Sequence, residues 1–302
     1  MITILGPTAS GKTALAARLA YELNGEVVSA DSRQVYRGMN IGTGKDYDDY
    51  LVNGTRIPVH LVDIVDPGYE YNVFEYQRDF KNVYIEISSR GKMPILCGGS
   101  GMYLEAILKG YNLKKIESDS TLKETLEKRT DEELKEILQS LRYNHNTTDL
   151  IERERTIKAI EIAAVPESSK NYQSAVPAFK LILFGIRFER ETLRKRITER
   201  LNNRLQNGMI EEVKTLLDKG LTASQLKFYG LEYRYITQFL EKELDYNSMF
   251  RLLNTAIHQF AKRQITWFRR MERNGFTIHW IDGILDQEKK TVLVKAIMDQ
   301  AY

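Results

Sequence analysis

The chain has 302 residues, of which 42% are hydrophobic and 28% are charged, a composition typical of a globular protein. Its formal net charge of +3 argues against a general polyanion binder, so any nucleic-acid surface must come from local clusters of Lys and Arg. The single cysteine, Cys97, excludes an internal disulfide, and no apolar run approaches the roughly 20 residues that cross a bilayer. We therefore expect a cytoplasmic protein without a membrane contact.

Strands and helices alternate over the first 110 residues. A helical pattern begins near Gly11, and a second occupies about residues 72–90. Four β-rich runs separate or flank these helices, at residues 2–5, 26–29, 59–65 and 95–97. This alternation predicts an α/β fold with a mostly parallel sheet that helices cover on both sides.

The pattern changes after Gly110. Residues 112–165 are polar and helix-prone, and residues 166–177 form a loop by composition. The later elements are a strand at 181–184, helices from 189 to 276 with breaks near three glycines, a strand at 277–281 and a final helix. We therefore predict a core domain of residues 1–111 and 178–302, interrupted by a helical insertion domain of residues 112–177.

The strongest local motif follows the first strand and opens the first helix. It matches the G-x-x-x-x-G-K-[ST] phosphate loop, with the residues Gly6, Pro7, Thr8, Ala9, Ser10, Gly11, Lys12 and Thr13. Backbone N–H groups and the helix N-terminus favour an anion there. Lys12 can reach the outer phosphate, and the Thr13 hydroxyl can bind a bridging Mg²⁺. The motif predicts binding of a diphosphate or triphosphate without naming the reaction, and a chance match in a turn is the alternative.

Two further polar residues follow strands at the same sheet edge. Asp31 comes directly after the second strand, and Ser100 comes just past the fourth. Ligands of open α/β sheets bind along this edge. Asp31 could bind magnesium or accept a proton from a nucleophile, and Ser100 could orient a substrate amine or a phosphate oxygen. The alternative for both residues is a helix N-cap.

A basic helix is predicted between residues 187 and 204. Arg196, Arg200 and Arg204 repeat every four residues beside an apolar stripe, so their guanidiniums share one face. Such a face could clamp a diphosphate. The alternative is a solvated face whose arginines pair with nearby glutamates, which are Glu189, Glu191 and Glu199.

A second basic cluster spans residues 261–270. Cationic and aromatic side chains alternate there, as they do on RNA-binding helices. The same helix carries an apolar stripe, so Trp267 and Phe268 could instead extend the core. Both interpretations are open from the sequence.

Together, these motifs closely resemble those of bacterial tRNA dimethylallyltransferases. The resemblance rests on the phosphate loop, the segment Asp31–Lys45, the turn Gly98–Tyr103 and the segment Ala261–Arg269, in the family's order and spacing. It implies a P-loop NTPase-like fold. It also implies transfer of a dimethylallyl group from dimethylallyl diphosphate, with Mg²⁺, to the N6 amine of adenosine 37, next to the anticodon, in tRNAs that read codons starting with U.

The resemblance also implies roles for single residues. Asp31 would act as the general base on the adenine amine, and Ser100 would help to place that amine. Arg196 and Arg200 match the family's Arg-Ile-x-x-Arg pattern, so they would bind the donor diphosphate with the phosphate loop, and Arg200 would stabilise the leaving group. The anticodon arm of the tRNA would contact the insertion and the part of the site that receives the adenine. The residues implied in these contacts are Asp31, Ser32, Arg33, Gln34, Ser100, Lys123, Glu154, Arg155, Thr156, Ile157, Lys158, Lys227 and Arg263. We expect the enzyme to act as a monomer.

The chain departs from the family's pattern at Glu232. A basic residue is usual at this point after Gly230, and Arg234 could replace its contact. Two other classes also fit part of the sequence. A small-molecule P-loop kinase would explain the loop and sheet but not the insertion, and an adenylate isopentenyltransferase would perform the same chemistry on a free nucleotide.

Overall fold

The computed structural model describes residues 1–111, 120–141, 153–164 and 180–301. The chain divides into two compact units: Met1–Gly110 with Val176–Tyr302, and Tyr111–Ala175. These limits lie within two residues of the domain boundaries predicted from the sequence. The predicted loop at 166–177 lies outside the described residues.

The first unit is built on a six-stranded sheet in the order β5-β2-β6-β1-β7-β8, with every neighbouring pair parallel. Its strands are β1 (Ile2–Leu5), β2 (Gly25–Ala30), β5 (Val59–His60), β6 (Met93–Gly98), β7 (Ile182–Arg187) and β8 (Ile278–Asp282). A separate antiparallel pair consists of β3 (Leu51–Val52) and β4 (Thr55–Arg56). The predicted parallel sheet is confirmed.

Helices cover this sheet and extend beyond it. In chain order they are α1 (Lys12–Glu22), α2 (Val73–Ser89), α3 (Gly101–Leu108), α7 (Arg190–Gln206), α8 (Met209–Asp218), α9 (Ala223–Phe228), α10 (Leu231–Leu240), α11 (Tyr246–Arg273) and α12 (Gln287–Ala301). The breaks predicted near residues 208, 220 and 230 fall between α7, α8, α9 and α10. No helix in the described ranges is both long enough and apolar enough to traverse a bilayer.

Consecutive strand residues pack on opposite faces of the sheet, because strand side chains alternate. Ile95 of β6 belongs to the apolar cluster that contains Leu15 of α1, whereas Leu96 belongs to the cluster that contains Phe80 of α2. Both strand residues are fully buried. Apolar residues on both faces are therefore required, as expected for a parallel sheet between two helical layers.

The third predicted strand, residues 59–65, is wrong in its length. The strand β5 ends at His60, because Leu61 and Asp63 have positive φ angles of 60° and 54°. Such angles lie in the left-handed region and are incompatible with an extended strand. Apolar composition alone did not reveal this turn.

The insertion unit contains three described helices: α4 (Ser120–Glu127), α5 (Asp131–Leu141) and α6 (Arg153–Ala164). They enclose a small apolar core of their own, with Leu126, Leu134, Leu138, Ile157 and Ile160. Arg153 at the start of α6 pairs with Asp131 at 2.5 Å, which fixes α6 against α5. As predicted, the described part of this segment is helical.

Candidate functional site

Three strands of the sheet end level with one another. Leu5 of β1 and Ala30 of β2 both lie opposite Gly98 of β6. The residues that follow these strand ends are the phosphate loop, Asp31 and Ser100. The register therefore brings the three predicted parts of the site to one edge of the sheet.

The phosphate loop turns sharply between β1 and α1. Ala9 and Gly11 have positive φ angles of 60° and 77°, and the carbonyl of Ala9 accepts a hydrogen bond from Arg196 Nε at 3.0 Å. The Ser10 hydroxyl is buried and has no hydrogen-bond partner among the described residues. A buried hydroxyl without a partner is costly, and Ser10 would donate a hydrogen bond to a phosphate oxygen.

Lys12 begins α1 beside this loop. Burial lowers the pKa of its ammonium, while the nearby Cys97 and Asp31 act in the opposite direction. No ion pair of Lys12 occurs in the part of the chain that the structure describes. A diphosphate would provide the negative charge that this half-buried lysine lacks, and Thr13 follows Lys12 in the first turn of α1.

The basic face of α7 approaches the phosphate loop. Arg196 binds the loop backbone, and Arg200 donates to Thr8 Oγ1 at 3.2 Å. Arg200 also binds Asp46 at 2.6 Å, and Arg204 binds the same carboxylate at 3.1 Å. Two of the three arginines thus reach the loop directly, and the third shares a carboxylate with Arg200.

The structure does not show the alternative arrangement, in which Arg196, Arg200 and Arg204 of α7 pair with nearby glutamates. Glu191 lies 3.9 Å from Arg194, and Glu199 lies 3.8 Å from Lys195. These glutamates therefore pair with cations on other sides of α7. The three spaced arginines are left to face the loop and Asp46.

Asp46 is a functional candidate that the sequence analysis missed. Burial alone would raise the pKa of its carboxyl, but Arg200 and Arg204 outweigh burial and hold the pKa below its ordinary value. Asp46 therefore stays ionised and orients both guanidiniums. Its position directly after the motif Asp31–Lys45 was the available signal.

Asp31 and Ser100 form the other side of the site. Asp31 Oδ1 accepts a hydrogen bond from the backbone N–H of Arg33 at 2.9 Å, and Ser100 Oγ accepts one from Ser32 N–H at 3.2 Å. The helix-cap alternative is wrong for Asp31, whereas Ser100 does occupy the N-cap position of α3. Asp31 opens a turn rather than a helix, and Ser100 precedes α3 but makes no side-chain cap hydrogen bond.

The two residues after Ser32 have defined positions. Gln34 accepts from Ser29 Oγ at 3.1 Å and donates to the Gly44 carbonyl at 3.0 Å, so it holds two loops together. The guanidinium of Arg33 lies 5.2 Å from the ring centroid of Phe228. Gln34 is thus a structural bridge here, and Arg33 stacks on α9.

Gln264 of α11 joins the two sides of the site, and it too was missed. Its Oε1 accepts from the Thr8 backbone N–H at 2.8 Å, and its Nε2 donates to the Gly99 carbonyl at 2.9 Å. A Cβ at position 99 would lie 2.4 Å from this Nε2, so glycine is needed for the close approach. A buried glutamine within a predicted core helix was the signal for this role.

Trp267 and Phe268 of α11 pack against the core, so the interpretation of these two residues as an RNA-stacking surface is wrong. Phe268 is fully buried, and the Trp267 ring packs where a Cβ at position 101 would lie 2.3 Å from it. The basic residues Lys262, Arg263 and Arg269 are exposed. Alternation along the sequence placed the two residue types on different faces of one helix.

The predicted tRNA contacts of the insertion fall into two groups. Lys123 on α4 and Lys158 on α6 are exposed, and Lys158 lies 3.2 Å from Glu161. Thr156 and Ile157 are buried among the helices of the insertion. The side chains of Glu154 and Arg155 lie outside the described part of the chain.

The segment that departs from the family's pattern has an acidic residue at the site. Glu232 in the first turn of α10 lines a small cavity with Thr8, Arg200 and Arg204. Arg234 does not take its place there, because Arg234 Nε donates to the carbonyl of Lys227.

Lys227, predicted to contact tRNA, has two acidic partners. Its ammonium lies 2.7 Å from Glu241 and 2.8 Å from Glu243. A tRNA phosphate would therefore have to compete with both carboxylates for this cation.

Glu212 of α8 anchors the loop that carries Asp46. Its carboxylate accepts hydrogen bonds from three consecutive backbone N–H groups, those of Asn40, Ile41 and Gly42, at 2.7–3.0 Å. Tyr233 donates a fourth hydrogen bond at 2.6 Å. This carboxylate therefore fixes the position from which Asp46 meets the arginines.

Glu212→Ala is expected to lower the free energy of unfolding by about 2–3 kcal/mol, because it leaves several partly buried N–H groups without an acceptor. Urea denaturation measures the change. Glu211→Ala removes the exposed neighbouring carboxylate and is expected to change stability by less than about 0.5 kcal/mol. Equal stability of the two variants would contradict the anchoring role.

Comparison with known proteins identifies the family. The model of the IPP transferase family matches residues 34–271. The tRNA dimethylallyltransferase 2 of Phocaeicola vulgatus is 52% identical over 290 residues, which cover 96% of this chain and 94% of the relative. The tRNA dimethylallyltransferase 1 of Porphyromonas gingivalis is 53% identical over 290 residues and 96% of both chains.

A solved structure agrees with these relatives. The full-length tRNA isopentenylpyrophosphate transferase of Bacillus halodurans is 30% identical, has a TM-score of 0.72, and is matched over 99% of this chain and 95% of that one. The predicted P-loop NTPase-like fold and the resemblance stated from the motifs are both confirmed. The chain therefore belongs to the IPP transferase family of prenyltransferases.

Proposed function

We propose that the protein transfers a dimethylallyl group from dimethylallyl diphosphate to the N6 amine of adenosine 37 in tRNAs that read codons starting with U. It acts as a monomer in the cytoplasm. The observation that carries the proposal is the convergence of Lys12, Arg196 and Arg200 on the phosphate loop, at the same sheet edge as Asp31 and Ser100. Three cations that can bind a leaving diphosphate thus lie at the same sheet edge as Asp31, a carboxylate that can accept the proton of the attacking amine.

The donor side explains how the allylic bond is weakened. Negative charge grows on the diphosphate as its bond to the allylic carbon breaks. Lys12 and Arg200 stabilise that charge most when it is fully developed, so they favour the transition state over the intact donor. Asp46 holds Arg200 in place for this role.

Magnesium fits the same place. The described residues contain no group of three or more His, Cys, Asp or Glu that could hold a metal ion. A Mg²⁺ ion carried by substrate phosphates needs no such group, and Thr13, in the first turn of α1, would contribute its hydroxyl to the coordination. When bound, Mg²⁺ neutralises part of the diphosphate charge.

The acceptor side supplies the base. The adenine amine is a weak nucleophile and loses a proton as it bonds to the allylic carbon, and Asp31 accepts that proton. The adenine must leave its stack in the tRNA to reach the carboxyl edge of the sheet, which costs roughly a few kcal/mol. An unpaired anticodon-loop base lowers this cost.

The function is tested by incubating the enzyme and Mg²⁺ with radiolabelled dimethylallyl diphosphate and one acceptor at a time. We expect label in a tRNA transcript with adenosine 37 and none in a transcript with guanosine there. Label in free AMP would instead identify an adenylate isopentenyltransferase. Phosphate transfer from ATP without prenyl transfer would identify a kinase.

Binding of tRNA should depend on exposed cations of the insertion. The double substitution Lys123→Glu and Lys158→Glu is expected to weaken tRNA binding about 10-fold or more and to reduce the slope of log affinity against log salt, because fewer phosphates are neutralised. Filter binding over a salt series measures both. Lys219→Glu, an exposed charge reversal on the core unit, is the control. An unchanged slope would separate the insertion from tRNA binding.

A further inference from the structure

Glu232 occupies an unusual position for a carboxylate, next to a loop that binds phosphates. It is half-buried in the first turn of α10 and lines a cavity with Thr8 and Ala9 of the phosphate loop and with Arg200 and Arg204 of α7. The cavity has a volume of about 10 Å³, which is room for about one water molecule. Glu232 and the phosphate loop thus line one narrow space, so a diphosphate on the loop would lie close to this carboxylate.

Several charged groups act on Glu232 from the surrounding elements. Burial raises the pKa of its carboxyl, and this effect exceeds the opposing effects of its own backbone N–H and of Arg204 and Arg200. Asp31, at the sheet edge, also raises it.

Within the described part of the chain, α8, α9 and α11 contribute no unpaired charged side chain next to Glu232. From α11 the cavity receives the apolar Ile257. On α8, Glu212 is bound by loop N–H groups and by Tyr233. Lys227 of α9 pairs with glutamates at the far end of α10.

Arg200 and Arg204 therefore serve two carboxylates before any donor binds. Asp46 pairs directly with both guanidiniums, at 2.6 and 3.1 Å. Glu232 has no ion pair within 4.0 Å in the ranges that the structure describes. A diphosphate that competes for these arginines adds negative charge to a cluster that is already balanced. The carboxylate that gives way is the one held less firmly, which is Glu232.

We propose that Glu232 is a proton-binding residue of the donor site, which takes up one proton from solvent when a diphosphate binds and releases it when the diphosphate leaves. The neutral carboxylic acid removes one repulsive charge and can donate a hydrogen bond to a diphosphate oxygen. The proposal rests on the donor site described under the proposed function.

The direction of the pH effect follows from this exchange. A bound diphosphate raises the pKa of Glu232 above its value in the free enzyme. At pH values below both of these pKa values, Glu232 is protonated with or without ligand. It then does not repel the diphosphate, and binding takes up no proton at this residue. As pH rises past the pKa of the free enzyme, binding must draw a proton from solvent, and diphosphate affinity falls.

The test is calorimetric titration of the full-length enzyme with inorganic diphosphate and Mg²⁺ over a pH series, in buffers of different ionisation enthalpy. We expect the wild type and Glu232→Gln to bind equally at the acidic end. At the alkaline end Glu232→Gln should bind about 10-fold more tightly or better, because a unit charge near the ligand is gone. Between the free-enzyme and ligand-bound pKa values of Glu232, the wild type should also take up more protons per diphosphate than Glu232→Gln, by up to one. Titration of Lys12 and of the diphosphate itself is common to both proteins.

Two further variants make the result specific. Glu232→Met is neutral at every pH and should lose the same part of the pH dependence. Glu241→Gln, an exposed carboxylate at the other end of α10, should follow the wild type. Parallel pH profiles for the wild type and Glu232→Gln would overturn the inference while leaving the donor site intact. Failure of the wild type to bind diphosphate at any pH would overturn both.

Discussion

Asp31→Asn is expected to lower the single-turnover rate of transfer to tRNA by roughly 10²–10⁴-fold, the usual contribution of a general base. The amide cannot accept the proton of the adenine amine. Its Oδ1 can still accept the hydrogen bond that Arg33 N–H gives at 2.9 Å, so the turn should keep its shape. Rapid-quench measurements with enzyme in excess over labelled tRNA isolate this step from product release.

The matched control is Asp282→Asn. Asp282 also ends a strand of the same sheet, and its Oδ1 accepts from the N–H two residues later, that of Ile284, at 3.0 Å. It lies on β8, the outermost strand of the sheet, which is two strands away from β1 and its phosphate loop. We expect a rate within a factor of about two of wild type for this variant. A near-normal rate for Asp31→Asn would remove Asp31 from the role of base.

Lys12→Met is expected to reduce kcat/KM for dimethylallyl diphosphate by roughly 10²–10³-fold, since it removes a half-buried charge that would pair with the leaving diphosphate. Methionine keeps much of the side-chain length, and a neutral side chain suits the burial that lowers the pKa of Lys12. Folding should therefore be retained. Steady-state kinetics with varied donor and saturating tRNA measures the effect, and tRNA affinity should change little.

Lys92→Met is the control for the loss of a lysine. Lys92 lies at the opposite edge of the sheet and donates to Asn24 at 2.8 Å, where both β2 and β6 begin. Its kcat/KM should stay within a factor of about two of wild type. If Lys12→Met behaved like Lys92→Met, the phosphate loop would not be the donor site.

Sequence reasoning could locate the parts of the site that depend on local order. A strand, a glycine-rich turn and a helix are contiguous, so the phosphate loop was predictable. Asp31 and Ser100 were predictable because the carboxyl ends of parallel strands meet at one edge. The length of β5 was not, since positive φ angles at Leu61 and Asp63 leave no mark in hydrophobicity.

Contacts between distant segments were beyond such reasoning. Gln264 meets Thr8 across 256 residues, and Arg200 meets Asp46 across 154. No periodicity in the sequence reports such a meeting, because it depends on how α7 and α11 pack against the sheet. For the same reason, the acidic residue at 232 was seen as a departure, but its place in the arginine cavity was not foreseen.

The hydrogen bond from Thr8 N–H to Gln264 means that one amide of the phosphate loop is committed to the protein rather than to an anion. Arginine side chains from α7 stand beside the loop instead. Backbone amides can be altered only by rebuilding the turn, whereas each arginine can be exchanged by a single substitution. Anion affinity at this site is therefore open to gradual adjustment, by natural variation or by engineering, while the loop and the sheet beneath it stay the same.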